Sequence, residues 1–178
     1  MSEEIREEII SWIKCIVSAV VFAYLITNFV IVNAAIPSSS MEKTIMTGDR
    51  AVAWRLSYLL DEPERFDIVV FIFPDDGETL FVKRIVGLPG ETVNVVEGKV
   101  YINDSTEPLE DWFINGEDFG RYRNAGTFVV PEGHYFMMGD NRGSSFDSRG
   151  WEVSSYVAED KILGKVIFKY YKGIGLIK

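Results

Sequence analysis

One cysteine and one histidine in 178 residues leave little room for metal or redox chemistry. Cys15 has no intramolecular partner for a disulfide, and a single Cys with a single His supplies no set of soft ligands for structural zinc, so neither a metal nor a cofactor is expected. Basic residues are also scarce: 18 Lys and Arg against 27 Asp and Glu give a formal net charge of −9. With a pI near 4.7 and no Lys/Arg stripe interleaved with aromatics, the chain lacks the cationic footprint that nucleic acid requires. Beyond residue 36 no apolar stripe of 3.6-residue period is sustained over three turns, which argues against a helical domain. Internal repeats and low-complexity tracts are absent as well.

What is present begins with a long apolar run. No charged residue occurs between Cys15 and Met41. About 20 helical residues rising ~1.5 Å each span a hydrocarbon core of ~30 Å, so 15–36 reads as a transmembrane anchor after a short N-terminus, 1–14, with the lipid bilayer as a partner. A removable leader is the rival reading, with Asn33-Ala34-Ala35 as its small-residue end. Against it, Glu3, Glu4, Glu7 and Glu8 precede the run with only Arg6 opposing them, whereas a leader has a basic start and a shorter apolar core. Arg6 and Lys14 before the run are balanced by Lys43, Arg50 and Arg55 after it, so charge alone does not orient the span.

From residue 37 to 178 the pattern changes to short β-branched and aromatic segments separated by Gly, Pro, Asp and Asn. Strands are expected at 51–56, 67–73, 80–86, 92–96, 99–103, 127–130, 135–138 and 161–171. Connections as short as Glu97-Gly98 require antiparallel pairing. The expected fold is mainly β: an antiparallel-sheet domain behind one membrane helix, interrupted by an acidic, aperiodic insertion around 104–126.

Three clusters carry potential chemistry. Pro37-Ser38-Ser39-Ser40-Met41 reads as an exit linker or as the site of a nucleophile. On the strand 80–86, Lys83 shares a face with Phe81 and Ile85. It either snorkels its ammonium into water or is stripped of water, and a desolvated lysine is a base able to deprotonate a serine. The third cluster runs from Gly139 to Gly150 as Gly-Asp-Asn-Arg-Gly-Ser-Ser-Phe-Asp-Ser-Arg-Gly. It reads as a hydrogen-bonded loop in which Asp147 pairs with Arg149 or Arg142; Asp140 and Asp147 disfavour phosphate there, and no Gly-Lys-Ser/Thr follows.

Together these clusters resemble type I signal peptidases, Ser/Lys proteases that remove signal peptides from exported proteins. The resemblance rests on Ser40-Met41 near an anchor with Gly48-Asp49 after it, on Lys83-Arg84-Ile85-Val86-Gly87-Leu88-Pro89-Gly90-Glu91, and on the loop from Gly139 to Arg149, and it covers nearly the whole chain in order. It implies Ser40 as nucleophile and Lys83 as general base. It further implies an oxyanion hole from Ser38 and the Ser40 N–H, Ser145 orienting the Lys83 amine, and Asp147 with Arg149 supporting the loop. Ile36, Met41, Ile45, Phe81 and Val82 match positions lining pockets for small side chains, as in an Ala-x-Ala cleavage site. Secretory preproteins are the implied substrate, the cell membrane the implied location, and export chemistry places the domain outside with Met1 in the cytoplasm.

Two departures stand out: Lys43 where the family usually carries Pro, and Gly150-Trp151 in place of the more usual Tyr. Ser40-Met41-Glu42-Lys43 also reads Ser-x-x-Lys, the nucleophile motif of penicillin-binding proteins and class A β-lactamases, but their Ser-Asp-Asn and Lys-Thr-Gly tripeptides do not occur. His134, at the start of a strand, is expected to be structural. A self-cleaving repressor-type Ser/Lys protease would need a DNA-binding segment where the anchor lies; outside enzymes, the alternative is a tethered β-domain that only binds a partner.

Overall fold

The computed structural model describes residues 3–114 and 120–177. A helix, α1 (Glu3–Leu25), runs into a π-helical turn over Ile26–Val30. This combined helix, Glu3–Val30, is long and apolar enough to cross a membrane, and none of its apolar window is buried inside the protein. At ~1.5 Å per residue it is about 40 Å long, more than a bilayer core of ~30 Å demands.

The apolar run 15–36 is not a single element. The helix begins earlier, at Glu3, and the run ends as a strand, β1 (Ile31–Ala35), paired antiparallel with β2 (Arg50–Trp54). Val32 and Ala34 are buried and Asn33 and Ala35 exposed, the period-2 alternation of a strand with one face on a core. An unbroken apolar run conceals such a switch of period, which explains the difference from the expected helix.

The other strands among the described residues are β3 (Ile68–Ile72), β4 (Leu80–Gly87), β5 (Thr92–Val96), β6 (Lys99–Ile102), β7 (Gly126–Val129), β8 (His134–Met138), β9 (Val157–Ala158), β10 (Ile162–Tyr170) and β11 (Gly175–Leu176). The large sheet has the order β1-β2-β10-β3-β4-β8-β9, with β11 on β10, and a small sheet has the order β6-β5-β7. Every pairing is antiparallel. The β5–β6 hairpin turns on Glu97 and Gly98, with φ of 51° and 79°, the two positive values that a twist-matched two-residue turn needs.

Central strand β3 is buried on both faces and separates two cores. Ile68 and Val70 face one core with Val32, Ile36, Met41, Ile45 and Val82. Val69 and Phe71 face the other with Ile85, Tyr135, Met137 and Trp151. A third core, built on Val86, Val93, Val95, Val100, Phe136 and Met138, joins the small sheet to β4 and β8.

Candidate active site

Between β1 and β2 the chain makes a closed loop: the Ile36 N–H donates to Asp49 O (3.0 Å) and the Gly48 N–H to Ile36 O (2.7 Å). Met41 and Ile45, 1% and 0% exposed, root this loop in the first core beside Val70 and Val82. Full burial of two such side chains is worth about 3–6 kcal/mol, enough to hold the Ser40 turn in one place.

Lys83 Nζ lies 2.5 Å from Ser40 Oγ in a buried hydrogen bond, and Ser38 Oγ is 3.3 Å from the same oxygen. Lys83 is 4% exposed, its amine 5.4 Å from the Phe81 ring centre. Among the described residues it forms no ion pair. Burial pulls its pKa from 10.5 down to about 8; the charges of Asp147 and Asp140 oppose the fall and Arg149 assists it. The snorkelling alternative for Lys83 therefore does not describe this side chain.

The 139–150 loop closes over the pair. Its Asn141 N–H donates to Ser40 O (3.0 Å) and its Asn141 amide to Ser39 O (3.1 Å). Gly139 permits this approach, because a Cβ there would sit 2.4 Å from Ser40 O and 2.3 Å from Ser145 Oγ. Asp147 pairs with Arg149, two nitrogens at 2.8 Å each, and accepts the Gly139 N–H at 3.0 Å. Burial alone would raise the Asp147 carboxyl, but Arg149, Ser145 and the Gly139 N–H outweigh it and hold it below the usual carboxylate range. Arg142, the other candidate partner, instead meets Asp111 at 2.5 Å.

An apolar groove of about 270 Å³ opens at Ser40. Ala35, Ile36, Pro37 and Met41 form one wall, Leu80, Phe81 and Val82 the other, and Phe146 closes one side. Four of the five expected pocket residues thus line it. Ile45 does not: it lies wholly inside the first core. Ser145 is buried near Asp147, whose carboxyl it helps to hold down, but its hydroxyl makes no hydrogen bond to Lys83. The structure brings Ser145 to the site without the expected bond.

Lys43 is exposed and makes no hydrogen bond or ion pair among the described residues. Residues 40–44 form turns, not the helix start that Ser-x-x-Lys chemistry needs. His134 heads β8, its Nδ1–H donating to Glu132 O at 2.9 Å.

Comparison with known proteins decides the family. The family described as signal peptidase, peptidase S26, matches residues 9–171. The chain belongs to the signal peptidase family. A probable signal peptidase I-2 of Synechocystis sp. is 38% identical over 164 residues, covering 89% of this chain and 71% of that protein. A signal peptidase I of Leptolyngbya laminosa is 36% identical, covering 89% and 78%. Signal peptidase I T of Bacillus subtilis is also 36% identical, covering 91% and 85%. A solved signal peptidase I from Enterococcus faecalis is 32% identical and covers 59% of this chain and 97% of its own, with a TM-score of 0.46. Membership makes the chain a serine peptidase hydrolase that acts in signal-peptide cleavage.

Several side chains of this signal peptidase's site were not singled out by sequence reasoning. Arg84 and Asp140 form a buried bidentate pair (2.8 and 2.6 Å), to which Thr44 donates from the turn that carries Ser40 (2.5 Å). Asp140 has the right residue type, but only the pairing of β4 with β8 shows that Arg84 reaches it. Lys169 on β10 donates to Thr44 O (2.7 Å) from 125 residues away, and no local pattern announces that.

Proposed function

We propose that this membrane-anchored peptidase cleaves signal peptides from secretory preproteins after Ala-x-Ala-like sites, with Ser40 as nucleophile and Lys83 as general base. The observation that carries the reading is the 2.5 Å contact between Lys83 and Ser40, made by an amine whose pKa is lowered by burial to about 8. At pH 7.4 about one such lysine in five is neutral, against roughly one in a thousand for an unperturbed lysine.

In this scheme neutral Lys83 takes the Ser40 proton as Oγ attacks the scissile carbonyl carbon. The Ser40 N–H, which has no acceptor among the described residues, and the Ser38 hydroxyl donate to the resulting oxyanion. Lys83 ammonium then protonates the departing amine, leaving an ester on Ser40. Water, deprotonated by the same lysine, hydrolyses the ester and returns Ser40 its proton.

Substrate geometry follows from unpaired backbone. β8 pairs with β4 only from Arg84 to Gly87, so among the described residues the edge of β4 at Leu80–Val82 opposite β3 has no strand beside it. An extended peptide lying there gains main-chain hydrogen bonds, and alternate side chains enter the apolar groove. The helix Glu3–Val30 serves as the anchor, with Met1 in the cytoplasm and the β domain on the far side of the cell membrane. Tethering places Ser40, ten residues beyond the helix, in the layer where a signal peptide's cleavage site emerges.

Purified full-length protein in detergent, given a preprotein ending its signal in Ala-x-Ala, is expected to release the mature chain, and Ser40→Ala to release none. A cut that persists in Ser40→Ala overturns the nucleophile. No cut by the parent protein leaves a tethered binding domain.

A further inference from the structure

The aperiodic insertion after β6 is not a free loop. It leaves the small sheet with the Leu109 N–H bonded to Val100 O (2.7 Å) and Leu109 packed on the third core. It then reaches across to the active-site loop at two buried points. Asp111 takes a 2.5 Å ion pair from Arg142, whose side chain is 1% exposed, and Arg142 Nε also donates to Gly139 O (3.2 Å). Phe113 lays its ring 3.8 Å from the Arg84 guanidinium, the group that grips Asp140. Where the insertion returns, the Tyr122 ring lies 5.2 Å from the Arg149 guanidinium, and a Cβ on Gly150 would collide with the Tyr122 hydroxyl at 2.0 Å.

We infer that residues 109–113 are a positioning strap for the active-site loop, with Asp111 and Phe113 as positioning residues that hold Arg142 and Arg84, and through them Gly139 and Asp140, against the Ser40 turn. Neither residue lines the groove at Ser40. Both act on the arginines whose partners frame the nucleophile. The charged groups around Lys83 are Asp140, Asp147 and Arg149, all on the strapped loop, so loosening the loop changes water access and charge at the amine together. An ion pair with one partner removed also leaves Arg142 buried beside an unpaired site, which favours opening of the loop.

The inference rests on Lys83 as base, and its test separates the two claims. Asp111→Asn is compared with Glu110→Gln, an equal change of charge at the exposed neighbouring residue. In full-length protein kept below its unfolding midpoint, Asp111→Asn is expected to lower kcat about 10-fold with KM held within about 2-fold, the signature of lost positioning and not of lost binding. The acid limb of kcat/KM is expected to move upward by about half a pH unit or more as water reaches the amine. Amide exchange at Gly139 and Asn141, which donate to Asp147 and Ser40, is expected to accelerate about 10-fold. If Asp111→Asn matches Glu110→Gln in exchange and pH profile, the strap is wrong, whatever happens to melting temperature. Should Asp111→Asn not fold, Phe113→Leu is measured in its place with the same expected signs and the same overturning result. Activity surviving in Lys83→Ala would remove the base while leaving the exchange comparison as a test of the strap.

Discussion

Lys83 and Arg84 are adjacent on β4, point to opposite faces and are both buried, 4% and 1% exposed. Their surroundings differ. Arg84 has a bidentate carboxylate in Asp140, a carbonyl in Phe66 and an aromatic face in Phe113. Lys83 has a neutral hydroxyl, an aromatic neighbour and carboxylates only at a distance. Guanidinium stays protonated at any relevant pH, so burying it demands full pairing. An amine can shed its proton, and leaving it unpaired turns burial into basicity. One strand thus holds a fully paired cation and, in the proposed mechanism, the general base, distinguished by what the 139–150 loop offers each.

The largest effect that sharpens this contrast is Lys83→Met. Cleavage of a preprotein is expected to fall by about a thousandfold or more, since in the proposed mechanism the hydroxyl loses its base. Stability should move the other way. Lys83 has a lower pKa in the folded protein than its ordinary 10.5, so the unfolded chain binds more protons between about pH 8 and 10.5 and the wild type gains stability as pH rises through that window. Below pH 8 the full cost of keeping a charged amine buried is present, about 3 kcal/mol at most. Lys83→Met is expected to be more stable than wild type at pH 7 by up to that amount and to lose the rise between pH 8 and 10.5. Denaturant unfolding across pH measures both, and a destabilised Lys83→Met would mean that this amine is paired like Arg84.

Asp140→Asn tests the other cation. Removing one partner of a buried pair leaves the remaining charge uncompensated, so a loss of about 3–5 kcal/mol is expected. Activity should fall as well, because Thr44 and the Ser40 turn hang on the same carboxylate. A milder effect than that of an exposed carboxylate such as Glu110 would show that Arg84 does not depend on Asp140.

Much of this arrangement is legible in the residues themselves. Each of the eight expected strands has a counterpart among β2 to β8 and β10, with ends displaced by at most two residues, because alternating β-branched and aromatic positions encode a face locally. Missed were β1, concealed inside an apolar run, and β9 and β11, two residues long each and held only by their neighbours. At the site, Phe81-x-Lys83-x-Ile85 indicates the face of the lysine, but whether the amine reaches water depends on a loop more than fifty residues later in the chain. The choice of Arg149 over Arg142 as the partner of Asp147 is likewise settled by Asp111, which sits in a segment with no period to read.

The smallest effects are expected from the two residues whose chemistry competes with Lys83 on paper. Lys43 is three residues from Ser40 in sequence, and His134 is the one imidazole in the chain. Lys43 is exposed, so its charge is screened over about 8 Å at physiological salt and contributes little to a site it does not touch. His134 bonds to the Glu132 carbonyl at the head of β8, and an amide at that position can keep the same donor. Lys43→Ala and His134→Gln are each expected to leave kcat/KM within about twofold of wild type and the acid limb in place. The limb is the sharper readout: it reports whichever group takes the serine proton. A limb that stays near pH 8 in both variants leaves Lys83 as the group that titrates, whereas a shift in Lys43→Ala would assign the base to the exposed lysine and make the burial of Lys83 beside the point.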